Sequence, residues 1–185
     1  DTRVTNGELS IDGQLKARNL INLSGLVSGK GNILAATFTN SGAIAPGGLG
    51  AIGTLSLTGH LVLTPTSALY IDLAGVRSDT LAVTGSATLS GELAVHSNSD
   101  LAYGQSFTLL TATNSLTGNF ERTSGLSGVL KPALTYDRTS ANKSVIMNVT
   151  AGQFRDILPA GVSYHIYYTS FYPGKILPVP DSGYR

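Results

Sequence analysis

The chain has 185 residues, which is enough for one elongated domain or for one domain and a tail. Charged residues make up only 12% and the net charge is +1, so the charge balance favours neither nucleic acid nor an acidic membrane surface as a partner. The chain has no cysteine, which excludes disulfides, thiol catalysis and thiolate metal sites.

The sequence lacks the features that would direct it into a membrane. It has no apolar run of about eighteen residues, the length that a membrane-spanning helix needs. Residues 1–4 do not resemble a signal peptide. We therefore expect a mature fragment that begins within a repeat and does not insert directly into a membrane.

Short segments of alternating apolar and polar residues follow one another from the N-terminus, with Gly, Asn or Ser at the breaks. A period of two is typical of half-buried strands, and the 22 glycines suit tight turns between them. No window of useful length has helical spacing. Up to residue 95 the predicted strands lie within residues 7–13, 19–25, 25–29, 31–34, 36–40, 54–64, 68–74, 80–85 and 87–95, and Gly59 divides the segment 54–64 into two strands.

These strand-and-turn units repeat. A Pro-Gly-Gly corner at residues 46–48 joins two alternating segments. Short motifs that contain Thr-Gly or Ser-Gly recur before and after it. Repetition of this kind indicates a solenoid, in which each strand pairs with its copies in neighbouring turns and Leu, Val and Ile stack inward. Asn22, Asn32 and Asn40 are either a ladder between turns or ordinary turn residues, and the second interpretation is favoured.

The pattern changes near residue 100. The segments 106–111, 133–136 and 144–149 are spaced as in antiparallel hairpins, so residues 1–100 are predicted to form the repeating turns and residues 101–150 a C-terminal cap of the same domain. Residues 151–185 contain four of the seven prolines and five of the eight tyrosines and lack the repeat pattern. We interpret them as an extended linker or tail, with a docking segment or a non-native extension as alternatives.

Three motifs between residues 23 and 64 carry a family resemblance. They are Leu-Ser-Gly-X-Val-Ser-Gly-X-Gly at residues 23–31, Asn-Ser-Gly-X-Ile-X-Pro-Gly at 40–47, and Ile-Gly-Thr-Leu-X-Leu-X-Gly at 52–59. The segments 78–91, 103–112 and 116–120 continue this pattern, in the order in which the family has them. In this order the motifs resemble the passenger region of bacterial type V autotransporters, and the resemblance covers about residues 5–150.

The resemblance implies a fold and a role. The implied fold is all-β, a right-handed parallel β-helix with a C-terminal β-hairpin cap. In the family this segment lies at the C-terminal end of the passenger and acts as an autochaperone, a stable core that folds first outside the cell. Large passengers of this kind are commonly adhesins and virulence factors of Gram-negative bacteria, exported through the periplasm and then secreted or displayed on the cell surface.

The resemblance also implies partners. These are the rest of the passenger and an outer-membrane β-barrel, which residues 1–185 do not contain, and host surface or matrix components for an adhesin. The tail after Ala151 departs from the family's helical linker.

Candidate chemistry is sparse. His60, His96 and His165 have no metal-ligand spacing, so each is expected to be a surface or turn residue. Asp72 and Asp79 flank one turn and form the nearest pair of carboxylates, but a solvated turn with Asp79 as its cap is favoured over a catalytic pair. The remaining candidate acids are spread along separate strands and turns: Glu92, Asp100 and Asp137.

Two further motifs are excluded as catalytic or phosphate sites. No Gly-X-Ser-X-Gly elbow occurs, and residues 47–50 lack the Lys-Ser/Thr end and the helix of a phosphate loop, so they are expected to form a corner. We therefore expect no catalytic, cofactor-binding or metal-binding residues and no enzyme. The expected function is the stalk and folding nucleus of a surface-exposed adhesin; the alternatives are a polysaccharide-cleaving β-helix enzyme and a secretion module without a binding role.

Overall fold

The computed structural model describes residues 1–126 and 130–152. These residues contain strands, turns and bends but no helix. In chain order the strands are β1 (Thr2–Val4), β2 (Glu8–Ser10), β3 (Gln14–Lys16), β4 (Asn19–Asn22), β5 (Leu26–Gly29), β6 (Asn32–Asn40), β7 (Ala43–Pro46), β8 (Thr54–Leu63), β9 (Ala68–Ala74), β10 (Arg77–Ser78), β11 (Thr80–Thr84), β12 (Ala87–Leu89), β13 (Glu92–Ser97), β14 (Ser106–Ala112), β15 (Leu116–Gly118), β16 (Arg122–Ser124), β17 (Leu130–Asp137) and β18 (Lys143–Ala151).

The strands form two sheets, and the chain runs repeatedly from one to the other. We call one such circuit through both sheets a pass. The first sheet has the order β1-β4-β6-β8-β11-β14-β18-β17, with β3 beside β6, and with β12 joining β8 to β15. The second has the order β16-β13-β9-β7-β5-β2, with β10 beside β9. From β1 to β16 the neighbours are parallel, apart from the short β9–β10 hairpin. The predicted all-β class with parallel sheets is confirmed.

The register of the parallel pairs aligns apolar side chains in inward stacks. In the first sheet one stack joins Leu20, Phe38, Leu61, Ala87 and Leu116, each at most 3% exposed. Side chains alternate between the two faces of a strand, so residues aligned by the register lie on the same, inward face of every strand in the stack. A fully buried Leu or Phe side chain stabilises the fold by about 1.5–3 kcal/mol, so these stacks are the main source of cohesion.

The second sheet contributes a matching stack from the other side of the core. Leu9, Val27, Ile44, Leu69 and Leu93 occupy one column, and all but Leu9 are fully buried. The predicted inward stacking of Leu, Val and Ile is therefore present in both sheets.

Along one line across the first sheet, the regular pairing of neighbouring strands is broken in every pass, either by a gap between two strands or by a shift in register. This line runs between β3 and β4, through Ala35 and Ala36 in β6, through Gly59 in β8, and between β11 and β12 at Gly85. Gly59 and Gly85 have φ values of 140° and 151°. A Cβ atom on Gly59 would overlap the carbonyl oxygen of Ala35, and one on Gly85 would overlap that of Gly59, so the backbones of adjacent passes are in contact along this line.

The C-terminal edge of the first sheet differs from the rest. Here β18 pairs antiparallel with β14 and with β17. The antiparallel hairpin expected towards residue 149 is formed by β17 and β18. Strands β15 and β16 still pair in parallel with β12 and β13, so the hairpin expectation is wrong for β16. The reason is that Leu116 extends the buried stack of the preceding passes.

The structure does not test the predicted domain organisation. The division into residues 1–100 and 101–150 stays a prediction, and residues 153–185, which hold nearly all of the predicted tail, lie outside the described part of the chain. No helix within residues 1–126 and 130–152 is long and apolar enough to cross a membrane.

Candidate functional site

The Gly-rich corner at residues 47–53 is tied to the following pass by two carboxylates. Asp72 Oδ2 accepts a hydrogen bond from the Gly50 N–H at 2.6 Å, and Asp79 Oδ1 accepts one from the Gly53 N–H at 2.7 Å. The second oxygen of Asp79 accepts the Asp72 N–H at 2.8 Å. The two aspartates therefore hold the corner loop, the end of β9 and the start of β11 together.

Asp79 is buried, contrary to the expectation of a solvated turn. It has no solvent exposure, and Asp72 is only 6% exposed. Burial raises the pKa of Asp79 to about 6, and the nearby Asp72 charge raises it further, whereas the two backbone hydrogen bonds and the Lys30 charge act in the opposite direction. The solvated-turn interpretation is wrong because the corner loop of the preceding pass covers this turn.

His96 contacts Asp72, one of these two acids. Its Nδ1 atom lies 2.9 Å from Asp72 Oδ1, and its side chain is 71% exposed, whereas the Asp72 side chain is 8% exposed. With Leu49, Tyr70 and Ala94 the two residues line a depression of about 350 Å³ on the outer face of the second sheet. A buried carboxylate that orients an exposed imidazole in this way leaves the Nε2 atom free to face solvent.

The Asp72–His96 contact contains two of the three groups of a serine hydrolase triad. In such a triad the carboxylate orients the imidazole, which takes the proton of a serine hydroxyl. Along residues 1–126 and 130–152 no serine hydroxyl hydrogen bonds to an imidazole nitrogen of His96 or His60. In the same part of the chain no three His, Asp or Glu side chains are grouped so that they could hold a metal ion.

The sequence contained a signal for this contact that the analysis of isolated motifs missed. Strand β9 pairs in parallel with β13, so that Leu69 lies beside Leu93 and Asp72 beside His96. Aligning the two alternating segments on their leucines would have placed the carboxylate next to the imidazole. Spacing rules along a single segment do not reveal such a pair, because its members are one full pass apart.

The other candidate residues are dispersed. His60 Nδ1 accepts a long hydrogen bond of 3.3 Å from the Ser86 N–H, and His165 lies outside the described residues. Glu92 lies 3.7 Å from Arg122 on the next pass, and Asp100 is exposed. Asp137 accepts hydrogen bonds from residues 139 and 140 in a turn, and these bonds lower the pKa of Asp137 to about 2.

Asn22 and Asn40 form the ladder that the sequence analysis considered the less favoured alternative. Both are fully buried, and Asn22 Nδ2 donates to Asn40 Oδ1 at 2.7 Å. Asn22 also donates to the Gly25 carbonyl, and Asn40 Nδ2 donates to the Gly42 carbonyl. The ordinary-turn interpretation is wrong for these two residues, whereas Asn32 takes no part in the ladder and its buried Oδ1 has no partner.

The chain matches no known family model. It is 33% identical over 147 residues to a protein named extracellular serine protease from Serratia marcescens. The match covers 74% of this chain but 14% of that protein, so the chain spans about one seventh of the length of the relative.

This similarity corrects one expectation. The sequence analysis concluded that the protein is not an enzyme, but the similar protein is named as a serine protease, which is an enzyme. The conclusion rested on a search for motifs within 185 residues, whereas the similar protein is several times longer. The chain is thus similar to a limited part of a secreted protease.

Proposed function

We propose that the chain is a segment of a secreted autotransporter passenger and that it serves as the folding template and stalk of that passenger. The parent protein is proposed to be an extracellular protease of a Gram-negative bacterium. The similarity to the extracellular serine protease of Serratia marcescens and the motifs between residues 23 and 64 support this origin.

The observation that carries the proposal is the in-register pairing of successive passes. Strands β4, β6 and β8 of the first sheet alternate along the chain with β5 and β7 of the second, and all the pairs between passes are parallel. We interpret this path as a right-handed parallel β-helix. In such a coil each formed pass offers unpaired N–H and C=O groups to the next one, so folding proceeds by addition to an edge.

The antiparallel pair β17–β18 fits the proposed starting point. Val145, Met147 and Val149 of β18 are buried and continue the core beyond β14. Strand β17 then forms the new edge of the first sheet, and it contains Pro132, a residue that disfavours further pairing at an edge.

A matched pair of variants in the parent protein tests this function. Met147→Asp places a carboxylate in the core of the cap and is expected to abolish secretion of the parent, because an unpaired buried charge prevents β18 from packing. Asn148→Asp, at the neighbouring half-buried position of β18, is the control and is expected to leave secretion unchanged. Equal secretion of both variants would contradict the template role.

Refolding of the full chain gives a second readout that does not depend on export. Pulsed hydrogen exchange during refolding is expected to protect β14, β17 and β18 before β1 to β4. Protection that begins at the N-terminal strands would refute growth from the cap. The adhesin role stays a prediction, which the binding of the purified chain to host cells or matrix would test.

A further inference from the structure

An asparagine and a glycine form the exposed turn between β1 and β2. Asn6 is the only asparagine of the sequence that a glycine follows, and both residues are exposed. The Gly7 N–H donates to the side-chain oxygen of Asn6 at 2.8 Å rather than to a backbone carbonyl of the next pass. The backbone nitrogen of Gly7 therefore lies beside the side-chain carbonyl of the residue that precedes it.

Glycine makes this nitrogen accessible. Gly7 has a φ of 73°, and a Cβ atom placed on it would meet no atom within 4 Å, so the space around the peptide bond is open to water. Glycine also gives the backbone more conformational freedom than any other residue. Cyclisation of an asparagine needs a nucleophilic nitrogen next to the side-chain carbonyl and a following residue that lets the backbone adjust. The turn supplies both.

We propose that Asn6 is a site of spontaneous deamidation and that the reaction loosens the first pass. The Gly7 nitrogen loses its proton to hydroxide and attacks Asn6 Cγ; the new N–Cγ bond closes a five-membered imide. The Cγ–Nδ2 bond breaks, and ammonia leaves after taking a proton from water. A second water molecule then opens the imide. Opening at Cγ leaves an aspartate, whereas opening at the main-chain carbonyl leaves an isoaspartate, whose main chain is one methylene longer.

The fold protects another asparagine that precedes a small residue. Asn40 is fully buried, and its Oδ1 atom accepts the Asn22 amide. The Ser41 N–H, which would be the attacking group, donates to the Asn22 carbonyl at 2.8 Å. Asn98 and Asn114 are exposed, but each precedes a serine, whose side chain crowds the nitrogen, so these two are expected to react later than Asn6.

The lengthened main chain of isoaspartate disturbs the contacts on both sides of the turn. Before the turn, the Val4 carbonyl accepts the Leu23 N–H at 2.8 Å; after it, the Gly7 carbonyl accepts the Leu26 N–H at 2.9 Å. An extra methylene between these two carbonyls shifts one of them relative to the other. We therefore expect β1 or β2 to separate from its neighbour in the next pass, β4 or β5.

Incubation of the full 185-residue chain at pH 8 and at pH 6, followed by tryptic peptide mapping, tests the reaction. The peptide of residues 4–16 is expected to gain the mass difference between a hydroxyl and an amino group, and to gain it faster at pH 8 because the attacking nitrogen must lose its proton. Its rate in the folded chain is expected to be similar to that of the isolated peptide, whereas Asn40 stays intact in the folded chain. Asn6→Gln is the matched control, since its longer side chain closes a six-membered imide far more slowly.

Hydrogen exchange of the aged chain measures the structural consequence. The Leu23 and Leu26 amides are expected to exchange faster after ageing, whereas the Ala43 amide, which donates to the Gly25 carbonyl one pass further in, is expected to be unchanged. The proposal is overturned by an unmodified 4–16 peptide in the folded chain, by an equal mass gain in Asn6→Gln, or by unaltered exchange at Leu23 and Leu26. Neither measurement depends on secretion, so the outcome is separate from that of the template function.

Discussion

Two buried asparagines hold adjacent turns together in a way that one residue type alone does not reveal. Asn22 and Asn40 lie in the same column of the first sheet, on the two sides of one parallel pair, and they share a hydrogen bond without access to water. Asn32 is of the same type and is only half-buried, yet its Oδ1 atom is unpartnered. The register explains the difference, because it aligns Asn22 with Asn40 but aligns Asn32 with Gln14 and Ser56.

Replacing Asn40 by Ala tests the energy of the ladder. The substitution removes the acceptor of the Asn22 amide and the donor to Gly42, and it is expected to lower the free energy of unfolding by about 1–3 kcal/mol. Asn32→Ala, which removes an unpartnered oxygen, is the control and is expected to cost less. Urea denaturation of the three proteins measures the difference, and equal losses in the two variants would contradict a structural role for the ladder.

Asp79 makes the stability of the chain depend on pH. The pKa of Asp79 is raised to about 6 from the ordinary value of 3.8, so the folded state binds a proton more tightly than the unfolded state does. Its contribution to stability is therefore complete below pH 3.8 and is lost as the pH rises through 6. Between pH 5 and pH 7.5 we expect the loss of this contribution to lower the free energy of unfolding by roughly 1 kcal/mol.

Asp79→Asn separates this group from every other titrating group. The variant loses one of the two backbone hydrogen bonds, so its absolute stability is expected to be lower, but the change in its stability between pH 5 and pH 7.5 should lack the Asp79 contribution. Urea denaturation at pH 5 and pH 7.5 measures, for the wild-type chain and for the variant, the slope of the free energy of unfolding against pH. Identical slopes for the wild-type and variant chains would refute the raised pKa.

At the scale of strands, the alternating pattern predicted most of the elements. Segment 68–74 corresponds to β9 (Ala68–Ala74), because its apolar residues alternate without interruption. Segment 54–64 was predicted as two strands separated by Gly59 but forms the single strand β8 (Thr54–Leu63). Residues 31–34 and 36–40 were predicted as separate strands but form the single strand β6, which continues through the small residues Ala35 and Ala36. Short strands such as β3 and β16 were missed, because three residues do not establish a period.

Gly59→Ala tests the close contact between passes. Gly59 has a φ of 140°, and an added Cβ would overlap the carbonyl oxygen of Ala35 in the neighbouring strand. Strain and the displaced pairing of β6 with β8 are expected to cost at least about 3 kcal/mol of unfolding free energy. Gly13→Ala is the control, since a Cβ at Gly13 meets no atom within 4 Å. Thermal or urea unfolding of both variants gives the comparison, and a small loss for Gly59→Ala would show that the passes can separate at this point.

At the scale of the whole molecule, the antiparallel pair β17–β18 covers an edge that would otherwise be open. Strand β14 carries the buried residues Phe107, Leu109 and Leu110, and β18 lies beside it. Without that cover, β14 would present unpaired backbone groups and an apolar end of the core to other molecules.

Truncation tests this protective effect. A chain of residues 1–126 is expected to self-associate, whereas a chain of residues 1–152 is expected to stay monomeric and to unfold cooperatively. Size-exclusion chromatography with light scattering distinguishes the two outcomes. A monomeric, cooperatively folded 1–126 chain would mean that β14 does not need the cover.

The sequence by itself determined the all-β class, the parallel stacking and the inward side chains, because these follow from a period of two, from glycine at the turns and from repetition. The tertiary structure decided which residues meet between passes: the Asn22–Asn40 ladder, the Asp72–His96 contact and the burial of Asp79. The physical reason is that passes differ in length, so residues that lie side by side are far apart in the chain and at no constant spacing. Alternation specifies the face on which a side chain lies, but only the register of complete passes specifies its neighbour.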